Sequence, residues 1–83
     1  MKHIVIIYDA LGTMVSPEVV LFTDKGDPLT YIKTKLKNYD IYNECFQVEL
    51  DCLMDIEEAI TLIEEYNIHS MQIHVVENID PEV

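Results

Sequence analysis

The chain predicts an α+β two-layer sandwich: a four-stranded mixed sheet with two helices on one face, in the order strand, strand, helix, strand, helix, strand. Three observations point there. β-branched and aromatic runs near both ends mark strands. Two apolar stripes at three- and four-residue spacing mark helices. One nine-residue stretch alternates apolar with polar residues, the pattern of a strand with one wet side. At 83 residues the chain is expected to form one small acidic domain over 1–83, with a small core.

Ile4 to Tyr8 is apolar on both faces and reads as a central strand. Asp9 to Pro17, with Gly12, Ser16 and Pro17, reads as a loop. Val19 to Thr23 reads as a second strand closed by the turn cluster Asp24-Lys25-Gly26-Asp27; the rival is a helical turn capped by Ser16 with Pro17 at its first position. Asp27-Pro28 starts a helix, and Leu29, Ile32, Leu36 and Tyr39 carry its stripe to about Tyr39. From Glu44 to Cys52, one strand face takes Phe46, Val48, Leu50 and Cys52, and the other Cys45, Gln47, Glu49 and Asp51. Asp55 caps the second helix, with Glu58 three residues on as its capping-box partner. Ile56, Ala59, Ile60, Ile63 and Tyr66 form its apolar side, and Asn67 ends it. Met71, Ile73 and Val75 alternate with Gln72 and His74 in a last strand, and the tail 78–83 is expected to fray.

Glu44 to Glu77 would then be a strand–helix–strand unit, with a right-handed crossover if its strands are parallel. The whole is ferredoxin-like in character. The expected core is Leu29, Ile32, Leu36, Phe46, Val48, Leu50, Ile56, Ile60 and Ile63, with Val5 and Ile73 in central strands.

Charge is the strongest signal of function. The formal net charge is −11, with sixteen acids, five Lys and no Arg. Residues 1–37 hold every Lys and four acids; residues 38–83 hold twelve acids and neither Lys nor Arg. This balance argues against direct binding to nucleic acid or to an anionic membrane, both of which need a cationic footprint. The longest apolar run, Ile4 to Tyr8, is far short of a membrane span, and no cleavage site follows Met1-Lys2-His3, so a cytoplasmic location is expected.

Metal and thiol chemistry have little support. Cys45 and Cys52, seven apart on one strand, would stand roughly 23 Å apart, too far to pair with each other. His3, His69 and His74 show no ligand spacing, and no cofactor is expected.

On the second helix, Glu57, Glu58, Thr61, Glu64 and Glu65 fall within roughly 120° of the circumference. No Lys stands at i+4 to offset the four carboxylates. Glu49 and Asp51 add a second acidic row on the wet side of the expected strand, roughly 6.6 Å apart. Such rows attract cationic surfaces and can imitate a phosphate backbone. The expectation is a non-enzymatic binding protein. It would present Glu49, Asp51, Glu57, Glu58, Glu64 and Glu65 to a basic protein, including one that itself binds nucleic acid. In type, such a domain is similar to phage-encoded inhibitors of host defence: anti-restriction, anti-CRISPR and glycosylase-inhibitor proteins, DNA mimics among them. That similarity implies a host cytoplasm as the place of action. The alternative is a ligand-binding or dimerising regulatory domain of ferredoxin-like character, its acidity serving solubility.

A local motif supplies a more remote alternative. Ile6-Ile7-Tyr8-Asp9-Ala10-Leu11-Gly12-Thr13-Met14 resembles the first motif of the haloacid dehalogenase superfamily, and Val20-Leu21-Phe22-Thr23 looks like its second. The resemblance implies a remnant of that fold with Asp9 as nucleophile. Leu11 stands where the phosphatase members carry a second Asp, and only 14 residues separate the two motifs. The plainer reading is that Asp9 and Gly12 shape the turn after the first strand.

Overall fold

The computed structural model describes residues 2–9, 16–23 and 26–77. Its elements are β1 (Lys2–Tyr8), β2 (Glu18–Phe22), α1 (Pro28–Leu36), α2 (Glu44–Asp51), α3 (Ile56–Glu65) and β3 (Met71–Glu77). They fall into two units: residues 1–26 with 69–83, which hold the sheet, and residues 27–68, which hold the helices.

The sheet has three strands in the order β2-β1-β3, antiparallel throughout, with β1 central as its apolar run predicts. The expected four-stranded mixed sheet with two helices, in ββαβαβ order, is corrected here. Glu44–Asp51 is helical, so the described residues form three helices and three strands, and the strand–helix–strand crossover does not form among them. The mixed α+β character stands.

Register sorts the sheet residues by face, because directly opposed residues share one. Ile6 pairs with Val20 on one side and Ile73 on the other; Ile4 pairs with Phe22 and Val75. This face holds the sheet's fully buried side chains, Ile6 and Met71. The opposite face carries His3, Val5, Ile7, Val19, Leu21, Gln72, His74 and Val76. None of these eight is an acid or a lysine, and Val19 and Leu21 are 61% and 60% exposed. The turn after β2 closes with the Gly26 N–H donating to the Thr23 carbonyl at 3.0 Å. A Cβ on Gly26 would lie 2.8 Å from the Phe22 ring, so a side chain there would push the ring aside. The expected loop and frayed tail fall, over residues 10–15 and 78–83, outside the described residues.

Each helix of the second unit begins on a side-chain cap. At α1, Asp27 accepts from the Thr30 N–H at 3.1 Å and the Thr30 hydroxyl at 2.6 Å, and Pro28 fills the first position. These bonds from Thr30 hold the Asp27 carboxyl below its ordinary pKa. The helix ends at Leu36, short of the expected Tyr39. At α2, Asn43 accepts from the Phe46 N–H at 3.1 Å. At α3, Asp55 accepts from the Glu58 N–H at 2.8 Å, and Glu58 reaches back to the Met54 N–H at 2.7 Å. This is the expected capping box, with the return bond displaced by one residue. The end of α3 is a Schellman motif: the Asn67 N–H donates to the Glu64 carbonyl and the Ile68 N–H to the Ile63 carbonyl. Asn67 has φ 52°, a left-handed conformation that Asn tolerates better than most residues.

The core of this unit is Ile32, Leu36, Phe46, Leu50, Leu53, Ala59, Leu62 and Ile68. The Phe46 ring lies between Tyr39, 5.6 Å away, and Tyr66, which meets it edge-on at 5.2 Å. Leu29, Ile56, Ile60 and Ile63 are half-buried, and Val48, expected inside, is 61% exposed. Helix α2 is tied to α1 and the turn after it by polar bonds. Gln47 donates to the Lys37 and Asp40 carbonyls, and the Lys33 ammonium donates to the Asp51 carbonyl at 3.1 Å.

Candidate functional site

The C-terminal part of α2, the 52–55 connection and the outer side of α3 enclose an open groove of about 490 Å³. Leu53 and Leu62, both almost fully buried, give it an apolar floor, and Cys52 and Thr61 contribute small side chains. Five carboxylates line it: Glu49, Asp55, Glu57, Glu58 and Glu65. Among the described residues, no lysine or histidine does.

Helical geometry explains the convergence. On α3, Glu57, Glu58, Thr61 and Glu65 occupy one side, and Leu62 borders it where the core begins. On α2, Glu49 points the same way as Cys52. The five acids do different work. Asp55 and Glu58 are engaged in capping. Glu49 accepts the Tyr66 hydroxyl at 2.6 Å. The Glu57 and Glu65 carboxylates make no hydrogen bond or ion pair among the described residues and are exposed. The bond to Glu49 pushes the Tyr66 pKa up to about 12, helped by desolvation and by the negative charge of Glu49 and Glu65.

Four of the six residues singled out in the sequence line the groove: Glu49, Glu57, Glu58 and Glu65. Glu64 is exposed on α3 just outside it. Asp51 is not brought to it. The expected second acidic row on a strand is corrected by the helix, on which residues two apart point about 200° apart around the axis. Asp55, which the sequence marks as the cap of α3, also lines the groove beside Glu58.

The thiols are corrected in the same way. Cys45 lies on α2 and Cys52 is its C-cap, about 10.5 Å apart along the axis rather than 23 Å, both exposed and still too distant to pair with each other. Among the described residues no group of three or more His, Cys, Asp or Glu could hold a metal ion. Nor is any helix there long and apolar enough to cross a membrane. Asp9 follows β1, is 7% exposed, and its N–H donates to the Ser70 carbonyl at 2.7 Å. Residues 10–14 of the dehalogenase-like motif lie outside the described residues. No family model, curated protein or solved structure matches the chain.

Proposed function

We propose that this protein acts by binding rather than catalysis, docking the α2–α3 groove against a basic surface of another protein. One observation carries the reading: among the described residues, five carboxylates and no base line a groove with an apolar floor. An acidic recess of this kind raises the association rate of a cationic partner and rejects anionic ones. Proteins whose own cationic grooves hold nucleic acid are the partners that fit, which keeps inhibition of such a protein, by imitation of its ligand, as the biological role proposed. The setting proposed is the cytoplasm, that of the host if the chain is phage-encoded.

The test is a pull-down at low and high salt with three proteins: wild type, Glu57→Lys/Glu65→Lys, and Glu18→Lys/Asp24→Lys. Both double variants shift net charge equally, and Glu58 and Asp55 are left alone because they cap α3. The groove variant should lose a partner that wild type and the other variant retain, and wild type should release it at high salt. Equal loss in both variants would show that bulk charge, and not the groove, attracts the partner.

A further inference from the structure

Helix α2 has two apolar sides, of which its own unit uses one. Phe46 and Leu50 face the core. Cys45, Val48 and Cys52, spaced by three and four, form a row within about 60° of the opposite side, and all three are exposed. The row is prolonged at both ends: Tyr42, 90% exposed, precedes the helix, and Met54, also exposed, follows it. Carboxylates border it on both sides, Glu44 and Asp51 on one and Glu49 on the other. Glu49 and Cys52 also line the groove, so the row and the groove are one continuous surface.

We propose that this surface seats a single basic amphipathic helix of the partner protein, a proposal that rests on the function above and specifies what the basic surface is. Apolar side chains spaced by three and four on the incoming helix would lie along Cys45, Val48 and Cys52, the helix-against-groove mode of recognition. Its Lys or Arg residues would flank that seam and meet Glu44, Asp51, Glu49 and the groove acids. Charge decides between this occupant and a second copy of the chain. Two α2 rows brought together would set carboxylate borders against each other, whereas a basic helix complements both borders.

The probe is a synthetic helix of about 15 residues, long enough for marginal helicity, with Leu at three- and four-residue spacing and Lys on both flanks. Two controls replace Leu by Ser or Lys by Glu. Binding to the full chain is followed by fluorescence anisotropy under reducing conditions. The Leu/Lys helix should bind. Val48→Ser should weaken it roughly tenfold, the effect of losing one buried aliphatic contact, and Glu57→Lys/Glu65→Lys should weaken it further; neither control should bind. If the Ser control binds as well as the Leu helix and Val48→Ser changes nothing, the row is not an interface and the proposal falls. The acidic-groove reading survives that outcome if charge reversal still abolishes binding. No binding of the Leu/Lys helix at ~1 mM overturns the proposal. So does a concentration-dependent dimer that Val48→Ser dissolves, which would assign the row to a second copy.

Discussion

The bond between the Tyr66 hydroxyl and the Glu49 carboxylate joins the end of α3 to α2 at the rim of the groove. It stabilises the neutral phenol, so the Tyr66 pKa rises from 10.0 to about 12. A raised folded pKa contributes stability that is complete below the unfolded value and disappears as pH climbs through the folded one. The fold should therefore keep this contribution up to about pH 10 and lose it between about 10 and 12. Spectrophotometric titration of the tyrosines should resolve one late ionisation step in wild type. Glu49→Gln removes the charge but keeps an acceptor, so it should move that step to lower pH. A step that stays in place would mean Glu49 does not hold the phenol. Neither residue's role was legible in the sequence. Tyr66 read as one more apolar position of a helix, and Glu49 as the wet side of a strand.

At the scale of elements, the sequence was legible wherever one apolar stripe faced one core. Helices α1 and α3 announced themselves through Asp27-Pro28 and Asp55 with Glu58, and the structure uses those caps. β1 declared its central place through the unbroken apolar run Ile4 to Tyr8. Helix α2 was not legible, for a specific reason. Its core pair Phe46 and Leu50 interleaves with the exposed pair Val48 and Cys52, and two helical stripes laid over each other give an apparent period of two. The signal against a strand was Asn43, a good N-cap in front of Glu44. Local pattern misleads where an apolar residue is left exposed rather than packed, and Val48, 61% exposed, is such a residue here. The expected consequence is an asymmetry. Leu50→Ala should cost about 2–5 kcal/mol and Val48→Ala under about 1 kcal/mol, measured by chemical denaturation. A strand with one buried side would lose heavily at both, so equal losses would restore it.

For the whole molecule, the uneven placement of charge has a consequence in colloidal behaviour. Mutual repulsion between chains of net charge −11 keeps them dispersed, yet the sheet face with Val5, Ile7, Val19, Leu21 and Val76 contributes none of that repulsion. The acids elsewhere act as its guard. Acidification towards the isoelectric point, near pH 4.3, removes the guard while leaving the aliphatic side chains Val5, Ile7, Val19, Leu21 and Val76 unchanged. Precipitation there should begin on the sheet rather than on the helices. Val19→Thr/Leu21→Thr alters neither net charge nor isoelectric point and suits a strand. Light scattering during acid titration should show the variant staying clear closer to pH 4.3 than wild type. Identical turbidity curves would place the adhesive surface elsewhere. A variant that stays clear would instead give the acidity of this chain a duty separate from any partner: keeping the sheet face out of the precipitate.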